Sequence, residues 1–283
     1  MRLFCALIFS ASFVSSLTIA QTQSVDTIDY YKDIKWKNSL AYQKGSENPF
    51  SGLALSRSEN GLKEIEGKYY NGEKDGLWTK WYKNGNKEFE ENYARGLPKG
   101  LWTEWHPNGK KYKEGKFVNG EREGMWTEWQ KNGNMVSEAK YANGNRVSIT
   151  RWTWYDNGQK KSEANYVGTQ KNGIWIEWYD NGQKASEMNY QEGVKEGVWT
   201  EWHKNGKKES EGKYVNGTRS NLTRWEWHEN GSKKSEVSYT GNKIVASTEW
   251  HANGQKKIER NYSNGKAVSQ VEWDENGLEL KEN

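Results

Sequence analysis

The sequence predicts an all-β chain of about ten tandem antiparallel β-hairpins, and two observations predict it. The first is composition: only 33% of the 283 residues are hydrophobic, yet the chain has 17 Trp, 16 Tyr and 6 Phe. The second is a unit of about 24 residues that recurs along nearly the whole chain. Such a chain has too few aliphatic residues for a conventional core and too many aromatic residues for a disordered polymer.

Residues 1–20 have the features of an export signal. Arg2 supplies a short basic region, an apolar stretch follows, and Thr18 to Ala20 form a small-residue cleavage site. The apolar stretch is shorter than the roughly 20 residues of a membrane-spanning helix, and serines interrupt it. We therefore expect cleavage after Ala20, a secreted or periplasmic product, and no stable membrane span after cleavage.

Residues 21–51 are expected to form a linker or N-terminal cap, and residues 52–283 the repeat array. One Trp of the unit, the main Trp, recurs at Trp81, Trp105, Trp129, Trp154, Trp178, Trp202, Trp227, Trp250 and Trp273. Successive main Trp residues are 23 or 24 residues apart, except for two steps of 25 residues, which lead to Trp154 and Trp227. We call these two the long steps. An Asn-Gly pair follows, with the glycine four residues after the Trp, at Gly85, Gly109, Gly133, Gly158, Gly182, Gly206 and onward. Positions within a unit are numbered from this glycine.

Each unit is expected to fold as a β-hairpin, because Asn-Gly between aromatic and β-branched residues is a strong hairpin signal. Alternation predicts positions +4, +6 and +8 on a buried face and the Glu at +5 on a wet face, with Glu91 as an exception. A three-residue x-Asn-Gly loop pairs the main Trp with +2 and position −6 with +4, which keeps these residues on the buried face. Pro107 suits the first position of a type I turn, and the glycine is expected to be left-handed.

The hairpins are expected to stack into one elongated, twisted, single-layer sheet, held by aromatic contacts between neighbouring units. A first Trp precedes the main Trp by three residues at Trp78, Trp102, Trp126, Trp175 and Trp199. It precedes the main Trp by only two residues at Trp152 and Trp225, in the units reached by the long steps. We expect the register, and with it the bend or twist, to change at those two units.

The unit G-x-W-x-x-W-x-x-N-G-x-K-x-x-E-x-x-Y-x-x-G resembles the variant form of the MORN repeat, found in bacterial proteins labelled YwqK-family antitoxins. The resemblance covers residues 52–283, and Asn48 to Gly52 is similar to the Pro-Phe-Thr-Gly start of that group's first repeat. It implies a MORN-like hairpin array and, by the label, an antitoxin-like role. No catalytic residue is implied.

The residues predict no catalytic site, no metal site and no cofactor. Cys5 is the only cysteine, so a disulfide framework is excluded. Three of the four histidines, His203, His228 and His251, fall in consecutive units, but equivalent strands lie about 9.6 Å apart, too far to converge readily on one zinc ion. The fourth, His106, also directly follows a main Trp. The repeated Glu offers no singular carboxylate pair for glycoside hydrolysis. Cross-strand contacts with lysines such as Lys87 and Lys160, or contacts with the turn backbone, explain it better.

Two binding functions stay open. The first is a non-enzymatic exported scaffold that binds a protein partner along its elongated face. The second is a module that binds cell-wall or extracellular glycan through stacked aromatic residues. Most Trp residues are expected to be structural, while the first Trp residues, Trp78, Trp102, Trp126, Trp175 and Trp199, form an exposed binding ladder. The net charge of +4, with interspersed signs, offers no tract for nucleic acid.

Overall fold

The computed structural model describes residues 26–280, which are almost entirely β-sheet. One short helix, α1 (Tyr30–Asp33), lies near the N-terminus. The first strands are β1 (Thr27–Asp29), β2 (Ile34–Lys37), β3 (Leu40–Gln43), β4 (Gly52–Arg57), β5 (Lys63–Tyr70), β6 (Glu73–Trp81), β7 (Lys87–Ala94), β8 (Leu97–Trp105), β9 (Lys111–Val118), β10 (Glu121–Trp129), β11 (Met135–Ala142) and β12 (Asn145–Trp154). The others are β13 (Lys160–Val167), β14 (Gln170–Lys171), β15 (Gly173–Trp178), β16 (Lys184–Gln191), β17 (Val194–Lys195), β18 (Gly197–Trp202), β19 (Lys208–Val215), β20 (Thr218–Trp227), β21 (Lys233–Thr240), β22 (Lys243–Trp250), β23 (Lys256–Ser263), β24 (Lys266–Trp273) and β25 (Glu279–Leu280).

Strands β4 to β25 form one open sheet of sequential antiparallel hairpins, so the predicted fold class is confirmed. Strand β1 pairs in parallel with β4 at the N-terminal edge, and β2 and β3 form a separate hairpin. The proposed export signal, residues 1–20, lies outside the described residues. Between residues 26 and 280, no helix has the length and apolarity needed to cross a membrane.

The main turn of each unit has the predicted three-residue loop. The N–H of Gly85 donates to the carbonyl of Tyr82 at 2.9 Å, and the N–H of Tyr82 donates to the carbonyl of Asn86 at 2.8 Å. Gly85 has a φ of 84°, whereas Asn84 is not left-handed. A type I turn followed by a left-handed glycine has this geometry.

A β-bulge beside the turn decides which residues share a face. The main Trp pairs with position +2 as predicted, but the next pair is Lys80 with Phe89, so Thr79 at −6 pairs with Glu90 at +5. The predicted pairing of −6 with +4 is therefore wrong. A slip of one residue transfers every following side chain to the other face. The main Trp consequently shares a face with the Glu at +5, and the first Trp shares one with +4, +6 and +8.

The two faces differ in chemistry. The aromatic face carries the first Trp and the aromatic residue at +8, as in the T-shaped contact of Trp102 with Phe117, whose ring centroids are 4.7 Å apart. The salt-bridge face carries the main Trp, a Lys at +2 and the Glu at +5, as in the ion pair of Lys87 with Glu90. Each face is therefore one repeated row of contacts, not part of a layered core.

The N-terminal segment covers the first unit on the aromatic face. Trp78 is 0% exposed, and its ring centroid lies 4.8 Å from that of Tyr69 and 5.9 Å from that of Tyr30. The surrounding buried cluster comprises Ile28, Ile34, Ala41, Phe50, Ala54, Ile65, Tyr69 and Trp78. This cluster protects the N-terminal end of the array from solvent.

Side chains at the main turns tie each unit to the next. Asn108 accepts from the N–H of Lys110 within its own turn and donates Nδ2 to the carbonyl of Lys131 in the following turn, at 2.7 Å. Asn84, Asn157, Asn181, Asn230 and Asn253 make the same bond to the next turn. Because a carboxylate cannot donate, this position requires Asn and not Asp.

Within residues 26–280 the bond between turns is missing at the first turn, where Asn60 only accepts, and at two turns further along the array. Asn132 and Asn205 keep the bond within their own turn but donate none to the next turn. Both precede a long step, where Trp154 and Trp227 donate Nε1 to carbonyls of the preceding unit, at 2.7 and 2.8 Å. We call residues 122–154 the first junction and residues 195–227 the second junction.

The register between units changes at the junctions, as predicted, while the register within each hairpin does not. Position +4 pairs with −7 of the next unit at Ser137–Arg151 and Ser210–Arg224, but with −5 at Phe89–Glu104. Strands β12 and β20 have 10 residues each, and Trp152 and Trp225 pair with Glu163 and Glu236. These two Trp residues therefore lie on the salt-bridge face. Arg151 and Arg224 occupy the places on the aromatic face that other units give to the first Trp.

The substitution Asn108→Asp tests the tie between turns. The carboxylate keeps the acceptor for its own turn but faces the Lys131 carbonyl without a proton to donate. We expect the free energy of unfolding to fall by about 0.5–1.5 kcal/mol, the net contribution of a typical hydrogen bond, because this bond is exposed to solvent. Urea unfolding followed by Trp fluorescence measures it. Asn132→Asp is the matched control, because Asn132 donates no bond to the next turn, and equal losses in both variants would contradict the tie.

Candidate functional site

The first Trp residues, predicted to form an exposed ladder, are covered. Trp78 and Trp126 are 0% and 3% exposed, and Trp102, Trp175 and Trp199 are partly buried. The predicted exposure is wrong because the bulge places position −7 on the aromatic face. There the ring of Trp126 packs edge-on against Phe117, at 5.0 Å between centroids.

Cations at position −11 cover the ring faces of four of these five indoles. Lys74, Arg122, Lys171 and Lys195 lie 4.7, 4.5, 3.9 and 4.8 Å from the ring centroids of Trp78, Trp126, Trp175 and Trp199. Each cation also lies over the aromatic residue at +8 of its own unit. A cation over an indole contributes about 0.5–2 kcal/mol. The covered ring faces are not open for a sugar to stack on.

The opposite face of the indole rests on the backbone of the preceding unit. Trp126 lies on Gly115, where a Cβ atom would come within 2.1 Å of the indole, and its Nε1 donates to the carbonyl of Lys116 at 3.2 Å. Trp78 makes the same contacts with Gly67 and Lys68. In the unit before Trp175, Ala164 occupies the position that Gly115 has before Trp126. Nε1 of Trp175 donates to the carbonyl of Asn165 at 2.9 Å. A small residue at +6 thus lets the indole that follows join its unit to the previous one.

Two first Trp residues lack this bond. Position +6 of the preceding unit is Glu91 before Trp102 and Met188 before Trp199, and Nε1 of both indoles is buried without a hydrogen-bond partner. We attribute the loss to the long side chain at +6, which holds the indole off the backbone. A buried donor without a partner costs about 1–3 kcal/mol.

Glu91 is a partly buried carboxylate on the aromatic face. Burial raises its pKa, while the Tyr93 hydroxyl, which donates to Oε2 at 2.7 Å, and the Lys74 ammonium oppose the increase. Burial also lowers the pKa of Lys74, which lies over both Trp78 and Tyr93. This cluster holds opposite charges close together and explains why Glu91 breaks the alternation of its strand.

On the salt-bridge face the repeated Glu is paired with lysine, as predicted, but the lysine lies on the same strand and not across it. The pairs are Lys63–Glu66, Lys87–Glu90, Lys111–Glu114, Lys160–Glu163, Lys184–Glu187, Lys208–Glu211, Lys233–Glu236 and Lys256–Glu259. Most of these lysines also lie over the next main Trp, as Lys87 does over Trp105 at 5.7 Å. The main Trp residues are partly exposed here.

Hydrogen bonds hold two of these carboxylates ionised. Partial burial opposes ionisation of Glu163, but the indole of Trp152, which donates at 2.9 Å, and the ammonium of Lys160 lower its pKa. Lys233 and Trp225 lower the pKa of Glu236 in the same way, against the same opposition from burial. General acids need a raised pKa, so neither carboxylate suits that role.

An apolar row, which sequence reasoning missed, runs along the salt-bridge face at position −8. It consists of Leu77, Leu101, Met125, Ile174 and Val198, which are 51%, 56%, 48%, 49% and 55% exposed. Each lies between a left-handed glycine and the first Trp, as Leu101 does between Gly100 and Trp102. Because successive side chains of a strand point to opposite faces, each of these apolar residues lies on the face opposite to the buried first Trp. The recurring apolar residue before that Trp was the available signal.

Most of the histidines act in the contacts between units. His106, His228 and His251 use Nε2 to donate to the carbonyl of the next main Trp, at 2.9, 2.9 and 3.1 Å. Tyr82, Tyr155 and Tyr179 make the same bond through their hydroxyl groups, each at 2.8 Å. His203, before the second junction, instead places Nδ1 3.6 Å from Glu209. In the described part of the chain, no three His, Cys, Asp or Glu residues are grouped to hold a metal ion.

Replacement of Glu91 tests the account of Trp102. Burial raises the pKa of Glu91 in the folded chain. With respect to Glu91, the folded chain is therefore most stable at acid pH, where this carboxyl is protonated, and it loses stability as the pH rises through the pKa of Glu91 in the folded chain. Glu91→Ala and Glu91→Gln both remove the charge, so their advantage over the natural chain should grow from acid to neutral pH. Thermal unfolding as a function of pH measures this.

Only the alanine variant should also restore the indole bond of Trp102, as Ala164 allows for Trp175. We expect the indole N–H of Trp102 to exchange at least tenfold more slowly in Glu91→Ala than in Glu91→Gln, as measured by nuclear magnetic resonance. Equal exchange rates in the two variants would show that Glu91 does not keep the indole from the backbone.

Comparison with solved structures gives only weak likeness. The chain matches "Crystal Structure of TcdB2-TccC3-TEV" at 10% identity and a TM-score of 0.24, covering 83% of this chain and 13% of the other. The Photorhabdus luminescens Tc holotoxin pore matches at 9% identity and a TM-score of 0.18, covering 85% of this chain and 16% of the other. This chain therefore spans less than a fifth of those chains. At such scores the likeness bears on neither fold nor function. No curated protein matches the sequence.

The family profile described as "MORN repeat variant" matches seven segments of the chain. They are residues 74–94, 98–119, 122–143, 153–167, 171–192, 195–216 and 246–264, together about half of the sequence. Each segment lies within the array of hairpins described above, and the repeated positions are those that join one unit to the next. The chain therefore belongs to the MORN repeat variant family.

Proposed function

We propose that this protein is a non-enzymatic, exported scaffold whose apolar row binds a protein partner. Membership of the MORN repeat variant family supports a role in binding or scaffolding. The single observation that carries the proposal is the row itself: Leu77, Leu101, Met125, Ile174 and Val198 expose about half of their surface on one face. Isolated exposed apolar residues are ordinary, but a repeated row marks an interaction surface.

The surroundings of the row suit a protein interface. The Lys–Glu pairs run parallel to it and give a polar rim beside the apolar side chains. The partly exposed main Trp residues lie on the same face and supply aromatic anchors. The ties between turns hold successive units in fixed register, so the row needs little ordering when a partner binds.

Export and an antitoxin-like role are the finer parts of the proposal. The basic, apolar and small-residue segments of residues 1–20 support export. An antitoxin-like role then requires a partner in the envelope or outside the cell. The glycan hypothesis relied on exposed first Trp residues, and the burial of Trp78 and Trp126 removes that support.

Capture of the partner tests the apolar row. The chain beginning at Gln21 is immobilised and exposed to envelope and culture-supernatant extracts, and captured proteins are identified and then purified for a binary assay. We expect a discrete partner whose affinity falls at least tenfold in Leu101→Glu/Met125→Glu, because two charges would replace two buried apolar contacts.

The matched control is Val268→Glu/Leu278→Glu, since these residues are 63% and 67% exposed but lie outside the row. The control should bind as the natural chain does. Thermal unfolding verifies that each variant is folded. Capture of nothing beyond background, or equal binding by the two double variants, would contradict the proposal.

A further inference from the structure

The two junctions are copies of one another. Asn-Gly-x-Arg-x-x-(Ile or Leu)-Thr-Arg-Trp-x-Trp occurs at residues 143–154 and again, three units later, at residues 216–227. The nine units with a main Trp therefore come in three sets of three, and each junction joins two sets. The second arginine of this motif, Arg151 or Arg224, stands where other units have a first Trp, so the junctions differ chemically from the rest of the array.

The first junction contains a pocket of about 210 Å³ on the aromatic face. Its floor includes the buried residues Trp126, Ala139 and Ile149, which are 3%, 6% and 8% exposed. Arg151 pairs with Ser137 on one side of this floor, and Arg146 pairs with Tyr141 on the other. The pocket thus has an apolar base between two arginines.

The charges around this pocket are unbalanced. It is lined by Lys113, Arg122, Arg146, Arg151 and one carboxylate, Glu128. Lys113 is paired with that carboxylate at 2.6 Å. Arg122 lies over Trp126 and donates to the Tyr141 hydroxyl, while Arg146 and Arg151 are exposed. Within residues 26–280, none of the three arginines forms an ion pair.

The second junction repeats the strand pairing of the first. Arg224 pairs with Ser210, Leu222 with Gly212, and Arg219 with Tyr214, as their counterparts do three units earlier. Lys195 takes the place of Arg122 over the indole of Trp199. A recess of about 620 Å³ lies beside Arg224 and Ser210, and its lining includes Glu201, Glu209 and Glu226. Glu226 is paired with Lys234 at 3.2 Å, and Glu209 lies 3.6 Å from Nδ1 of His203. In this junction two buried donors, Nε of Arg219 and Nε1 of Trp199, have no hydrogen-bond partner.

We propose that each junction binds a carboxylate side chain of an acidic peptide segment. Planar guanidinium groups match carboxylates in geometry and charge, and the apolar floor suits the methylene stem of Glu or Asp. The cations already cover the ring faces of Trp126 and Trp199, so an acidic sugar has no ring on which to stack.

The spacing of the junctions determines the length of the segment. Six strand spacings of about 4.8 Å separate β10 from β18, which is roughly 29 Å along the sheet. An extended peptide of about nine residues, at about 3.3 Å per residue, covers that distance. This surface lies on the face opposite to the apolar row, so the inference stands whether or not the row binds a protein.

Titration with deca-glutamate, labelled with a fluorophore, tests the inference on the chain beginning at Gln21. We expect binding that weakens as salt is added, because both partners are charged. Arg151→Gln/Arg224→Gln should lower the affinity at least tenfold, and each single variant should give a smaller loss. Both arginines are exposed, so neither variant should impair folding.

Lys83→Gln/Lys257→Gln is the matched control, because it removes the same charge from exposed side chains outside both junctions. It should bind within twofold of the natural chain, and Leu101→Glu/Met125→Glu should bind the peptide normally. Failure of deca-glutamate to bind at low salt, or equal losses in the arginine and lysine variants, would overturn the inference. Tighter binding of inorganic phosphate or of a decameric oligogalacturonate would also overturn it.

Discussion

The array depends on the packing of the first Trp residues against the preceding unit, which is closest where Trp78, Trp126 and Trp175 bond to its backbone. A single-layer sheet has no second layer against which to bury its aromatic residues, so it must use its own neighbouring strands. Gly115 leaves space for the indole of Trp126, and the Nε1 hydrogen bond then fixes the two units together. Arg122 covers the remaining ring face. Each unit therefore completes the packing of the one beside it, as expected for a repeat protein.

This packing gives the two faces different roles. On the aromatic face the indoles are occupied by contacts within the array, and the charges accumulate where Arg151 and Arg224 replace a first Trp. On the salt-bridge face the Lys–Glu pairs keep the main Trp residues partly exposed, and the apolar row lies beside them. The two binding surfaces proposed for the chain thus arise from the same alternation of side chains, on opposite sides of one sheet.

The hairpins, the three-residue loop and the single sheet could be predicted from the sequence because Asn-Gly at a fixed offset is a local signal. The faces could not, since one bulge between Lys80 and Trp81 moves the first Trp to the buried side. Simple alternation counted through that bulge gives the wrong face. The arginine sites were also missed, although two ordinary steps followed by a long step recur as a set. A consensus over all units hides an arginine that occurs in only two of them.

The assignment of the two faces is the claim on which the rest depends, and oxidative footprinting of the folded chain measures it directly. Brief exposure to hydroxyl radicals, followed by mass spectrometry of peptides, gives an oxidation rate for each Trp. The account predicts that Trp105 and Trp129 are oxidised several times faster than Trp78 and Trp126. Faster oxidation of Trp78 and Trp126 would contradict it and would return the first Trp residues to the exposed face.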